Sequence, residues 1–178
     1  MAAKSTATAY GSVAVAIHWT TAVLIFFLLG SGLYIADEGE DAPRALLAAH
    51  VISGNLVLLL TLFRIFWWWR ADRQPADVAG LPRWQRIAAH AVHGLLYVVI
   101  LVMATSGIGM IALSGAAPAI FSGTGELPDF SDYLPRIPHG IGARLMMALL
   151  VAHIGAALYH HFIRRDGLLA RMGIGRVA

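Results

Sequence analysis

Cysteine is absent from the 178 residues. Its absence excludes a disulfide frame, a thiolate metal site, an iron–sulfur cluster and a covalent c-type haem. Charge is also scarce: charged residues make up 13% and apolar residues 58% of the chain. An ordinary soluble domain holds about 25% and about 45–50% respectively. A water-facing surface could not be built from so few charges, which sets aside a soluble enzyme, a nucleic-acid module and a disordered segment. The four longest apolar stretches contain no Asp or Glu at all. What the chain does have is eight histidines and a net charge of +3. In so apolar a chain basic residues report topology before they report an acidic partner.

A hydrocarbon core takes about 20 residues to cross, and four stretches are long enough: Val13–Ile35, Ala45–Trp69, Ile87–Leu113 and His139–Ile163. The first is longer than the apolar region of a signal peptide, about 7–15 residues, and reads as retained. The N-terminal tail, the second connection and the C-terminal tail hold nine basic residues against three acidic. The other two connections hold two against seven. The positive-inside rule then places both termini in the cytoplasm, with Trp67, Trp68, Trp69 and Trp84 at the inner interface. The expected fold is all-α: one membrane domain over residues 1–178, an up-down-up-down four-helix bundle. Pro118, Pro128, Pro135 and Pro138 break the third connection into an irregular outer cap with room for a short helix.

Polar groups inside a membrane are costly enough that each calls for a reason. A single histidine is explained by an interhelical hydrogen bond. Eight, with no intramembrane carboxylate beside them, are not; a proton relay would use Asp or Glu as well. A zinc cluster would need three or four ligands at one depth, whereas haem iron takes a pair of axial ligands from facing helices. Depth selects the pairs. His139 and His153 are 14 residues apart, a rise of about 21 Å and about 40° short of four whole turns. They therefore share one helix face at two depths. His50 matches His139 near the outer surface, and His18 matches His153 near the inner one. Two bis-histidine b haems stacked across the bilayer satisfy all four.

Other residues fit the same layout. Arg64 lies 14 residues beyond His50, at the inner level, and Arg144 lies five beyond His139. A guanidinium at either place can pair with a haem propionate; the competing readings are snorkelling for Arg64 and an interfacial charge for Arg144. On the third span, His90 and His93 share a face. His93 is the alternative ligand to His18, and a hydrogen bond is the competing role for either. His160, two turns beyond His153, suits a quinone carbonyl beside the inner haem, with His93 and Trp19 as candidate pocket walls; His161 reads as interfacial. Gly30, Ser31, Gly32, Gly54, Ser106 and Gly107 permit close packing, and Met103 and Met146 read as filler.

Ile17-His18-Trp19, Ala49-His50-Val51, His90-Ala91-Val92-His93-Gly94-Leu95-Leu96-Tyr97 and Tyr159-His160-His161-Phe162, in this order and spacing, carry a family likeness. From about Tyr10 to about Met172 the sequence resembles the bacterial cytochrome b561 family, four-helix dihaem b cytochromes related to the b subunits of nickel–iron hydrogenases and formate dehydrogenases. The resemblance implies a multi-pass protein of the bacterial inner membrane. It gives His50 and His139 the outer haem, and His18 and His153 the inner one. His160 matches a quinone-site histidine of the members that move electrons from periplasmic superoxide to ubiquinone. One departure stands out. An enzyme consuming an anion gains from a basic entrance, yet the outer connections are acidic, with Asp37, Glu38, Glu40 and Asp41 packed together. Arg44, Arg136 and Arg144 are left to build a local positive mouth. The alternative expectation is an acidic face docked to a cationic periplasmic redox protein.

Overall fold

The computed structural model describes residues 2–78 and 80–175. Four long helices dominate it: α1 (Ser12–Glu38), α2 (Arg44–Arg70), α3 (Arg83–Ser114) and α5 (Arg136–Tyr159). A short helix α4 (Ala117–Phe121) and a 3-10 turn (Phe130–Asp132) fill the third connection. α5 continues into a π-helical turn, His160–Arg164. Each long helix is apolar and long enough to cross a membrane, and each, with α5 counted through its π-helical turn, reaches past the stretch expected from hydropathy. A helix closes all its backbone hydrogen bonds within itself, so it continues unbroken from lipid into the interface.

The helix boundaries follow local chemistry. Pro43, Pro82 and Pro135 stand immediately before α2, α3 and α5, where a missing N–H costs nothing. α3 stops at Gly115, whose φ of 65° is left-handed and suits a residue without a Cβ.

In backbone terms α1 pairs with α2 and α3 with α5, while α2 joins the two halves through α3. α5 makes no comparable approach to α1 or α2. The core between the halves is Ile25, Val57, Val99, Met146 and Leu149. A second, smaller cluster of Leu47, Ala116 and Ile120 sits under α4 at the end away from the termini. Outward faces carry Val23, Phe26, Leu59, Val98 and Val151 to the surface, as a lipid-facing belt requires.

At the end that carries the termini, three segments are tied into a cap. Arg171 donates from Nε to the Thr8 carbonyl (2.9 Å) and from Nη2 to the Ala76 carbonyl (2.6 Å). Trp19 Nε1 donates to the Met172 carbonyl at 3.0 Å. Asp72 is the second knot. It accepts from the Ser5 backbone and hydroxyl, from Trp67 Nε1 and from the Arg73 backbone. Burial alone would raise the Asp72 carboxyl; the hydrogen bonds from Ser5, Arg73 and Trp67 outweigh it and hold the group below its ordinary range.

A folded-state value below the unfolded one means that Asp72 stabilises the cap above the ordinary carboxylate pKa of 3.8. That contribution is lost as pH falls through the folded value. Asp72→Asn is expected to cost about 1 kcal/mol and to speed amide exchange in residues 2–11 at pH 7. The difference from the parent chain should close as the pH falls through the folded value, which lies below 3.8; equal exchange at pH 7 would contradict this account.

Candidate haem sites between the helices

The bundle brings four half-buried histidines together in couples. His50 on α2 faces His139 on α5 with ring centroids 6.3 Å apart. His18 on α1 faces His153 on α5 at 6.2 Å. These are the interfaces across which the backbones stand apart. Among the described residues, no three His, Asp or Glu side chains converge as a metal-binding group.

The spacing can be tested against a metal ion. A first-row metal–imidazole bond is about 2.0–2.1 Å and the ring centre lies about 1.2 Å beyond the nitrogen, so two rings in line on one ion have centroids about 6.4 Å apart. Both couples meet that distance. Beside His50 and His139 lies a cavity whose other walls include Leu28, Gly54, Ile100 and Met146, an apolar surface suited to a flat macrocycle.

The tautomer of His139 is set by its surroundings. Its Nδ1 lies 3.0 Å from the Met103 carbonyl, which can only accept, so Nδ1 carries the proton and Nε2 keeps its lone pair for a metal. The Ser106 hydroxyl lies 3.1 Å from the same Nδ1. His50 Nδ1 lies 2.8 Å from the Ser31 hydroxyl.

His93 also reaches His153, at 5.1 Å and nearly perpendicular. That is shorter than a shared metal allows, and it is an edge-to-face ring contact. Its Nδ1 donates to the Ala89 carbonyl on its own helix at 2.6 Å. His90 turns away to Asp77, 3.3 Å distant. Trp19 lies edge-on to His18 at 5.1 Å.

Arg64 points over the Tyr97 ring, 5.9 Å from its centroid. Among the described residues its Nε is buried without a partner, as is Trp68 Nε1 one turn further along α2. Buried donors are normally satisfied, and a guanidinium and an indole N–H on one helix face would both take a carboxylate, the group a haem propionate offers. At the other end, a Cβ built on Gly140 would lie 2.9 Å from Arg136 Nη1 and 3.8 Å from Arg144 Nη1. Two guanidiniums thus flank the residue after His139. Arg44 does not join them; it donates to the Ala119 and Gly125 carbonyls and fastens the cap.

His160 is buried at the start of the π-helical turn, its Nδ1 bonded to Asp166 Oδ2, which Arg164 also contacts. Burial pushes the Asp166 carboxyl up, but the hydrogen bond and charge of His160 prevail and hold it below the ordinary range. Sequence reasoning passed over Asp166, counting it only as one tail charge, and read Ser31 and Ser106 as packing residues.

Residues 9–175 match the family described as Prokaryotic cytochrome b561. The chain is 30% identical over 169 residues to cytochrome b561 homolog 1 of Escherichia coli strain K12, covering 88% of this chain and 92% of that one. Cytochrome b561 homolog 2 of the same strain is 27% identical, covering 97% and 95%. A cytochrome b562 of Cereibacter sphaeroides is 28% identical, covering 92% and 94%. With nearly its whole length matched, and four helices able to span a membrane, the chain belongs to the prokaryotic cytochrome b561 family of multi-pass b-type electron-transfer proteins.

Proposed function

We propose that the protein is a dihaem cytochrome of the bacterial inner membrane that oxidises superoxide on the periplasmic side and reduces ubiquinone near the cytoplasmic side. The observation that carries this reading is the pair of histidine couples, at opposite ends of the bundle, each spaced as two axial ligands of one ion. His50 and His139 hold the outer haem, and His18 and His153 the inner one. The haems supply one-electron carriers at two depths. Two superoxide anions each give up one electron and leave as dioxygen; ubiquinone takes both electrons and two protons to become ubiquinol.

The protein's own groups match the two ends of that reaction. Arg136 and Arg144 converge beside His139, where positive charge concentrates a small anion despite the acidic loops around it. Arg64 and Trp68 offer donors to a propionate of the inner haem. At the cytoplasmic end Asp166 holds His160 by Nδ1, which leaves Nε2 for a quinone carbonyl. The carboxylate also lets this imidazole carry a second proton and release it to the reduced quinone oxygen. The exposed run Asp37, Glu38, Glu40 and Asp41 favours a second reading, a subunit that receives electrons from a periplasmic dehydrogenase or hydrogenase.

The purified protein is expected to hold two low-spin haems. His50→Ala or His139→Ala should remove one and keep the other; His18→Ala or His153→Ala should do the reverse. Loss of the inner haem in His93→Ala, with its retention in His18→Ala, would overturn the pairing of α1 with α5.

His160→Ala should leave both haem spectra intact and slow reoxidation by ubiquinone about 100-fold. Unchanged quinone kinetics would place the quinone elsewhere. Rapid haem reduction by a superoxide-generating system, weakening with added salt, is the outcome expected for the oxidase. Reduction only by a co-purifying periplasmic protein would decide for the subunit.

A further inference from the structure

The two ligands assigned above to the outer haem are held in the same way by two different helices. In α1, the Ser31 hydroxyl lies 3.3 Å from the Leu28 carbonyl three residues back and 2.8 Å from His50 Nδ1. In α3, the Ser106 hydroxyl lies 3.0 Å from the Met103 carbonyl three residues back and 3.1 Å from His139 Nδ1. A serine has one hydroxyl proton. Donated back to its own helix, it leaves lone pairs facing the imidazole, which must then donate its Nδ1–H. The next residue is glycine in both cases, and in both the imidazole lies against the place of the missing Cβ, tightly at Gly32 and in ordinary contact at Gly107. A Cβ on Gly32 would lie 3.2 Å from His50 Cε1, and one on Gly107 would lie 3.4 Å from His139 Cε1.

We infer that Ser31-Gly32 and Ser106-Gly107 are paired seats that orient the axial histidines of the outer haem and lower its midpoint potential by accepting their Nδ1 protons. This inference rests on the ligand assignment proposed above. An imidazole that donates from Nδ1 is a more basic ligand through Nε2, and a more basic ligand favours ferric over ferrous iron. Neither His18 nor His153 makes such a bond among the described residues, so the seats act on one haem of the two. They are positioning residues, since they touch the ligands and not the iron. The two seats differ in strength. His139 retains the Met103 carbonyl when its serine is removed, whereas among the described residues His50 has Ser31 alone.

The test is a spectroelectrochemical titration of the haem-loaded, full-length protein, resolving the two haems. In Ser31→Ala the outer couple should shift toward ferrous by about tenfold at fixed ambient potential, equal to about 59 mV for a one-electron couple. Ser106→Ala should shift it less, and neither should move the inner couple. Ser31→Thr, which keeps the hydroxyl, should restore the parent potential. Gly32→Ala should disturb the outer haem's low-spin signature and spare the inner one.

If Ser31→Ala binds both haems at unchanged potentials, the seat is refuted. Loss of the outer haem in Ser31→Ala with retention in Ser31→Thr supports it; loss in both variants reduces Ser31 to packing and refutes it. Failure of the ligand assignment shows separately, as two low-spin haems surviving in His50→Ala.

Discussion

In lipid, leucine packed on leucine gains little over leucine packed on acyl chains, so helices need some other reason to stay together. Here that reason is concentrated on α5. Its backbone lies close to α3 but stands away from α1 and α2, and what bridges the gap is His139 toward His50 and His153 toward His18. An imidazole in this setting has two nitrogens to account for. The one with the lone pair needs a metal or a donor; the one with the proton needs an acceptor. The Met103 carbonyl and the two serine hydroxyls meet the second demand in the His50–His139 couple, and in the proposed function a haem iron at Nε2 would meet the first.

Much of this was legible in the sequence, because the membrane imposes coarse rules. Unbroken apolar runs gave the four helices, and the 14-residue interval from His139 to His153 gave two depths on one face. The seats were not legible. Ser31 precedes His50 by 19 residues and Ser106 precedes His139 by 33, so no common spacing marks them. A membrane serine followed by glycine looks like a packing position. His18 and His93 are not separated by depth alone; the ring distances favour His18, because the edge-to-face contact of His93 is shorter than two coordinate bonds. The positive mouth was legible only as a set of three arginines, of which Arg44 turned out to seal a cap and two converge.

The ends of the bundle are built for different traffic. Near His139 two guanidiniums sit amid acidic loops, so a small anion meets a local positive field while a larger polyanion meets net negative charge. Near His160 the helix widens by one π-helical turn, a distortion that often marks functional sites, and brings an imidazole against a carboxylate. In the proposed function the first arrangement would handle charge without protons, and the second would handle protons beside a quinone.

The cap at the terminal end bears on how the chain is made. Arg171 joins Thr8, 163 residues earlier, and Ala76, 95 residues earlier. During synthesis the first tail and the second connection can already meet through Ser5 and Asp72 and through Ala76 N–H and the Ala7 carbonyl, but the Arg171 bonds wait until the last helix has been made. The contact order of that knot is close to the largest the chain allows, so it closes after everything it encloses. Until then the Thr8 carbonyl lacks the Arg171 guanidinium, and this end of the bundle is less protected against proteases that cut exposed tails. Arg171 thereby makes the final locking of the first residues wait on the last helix.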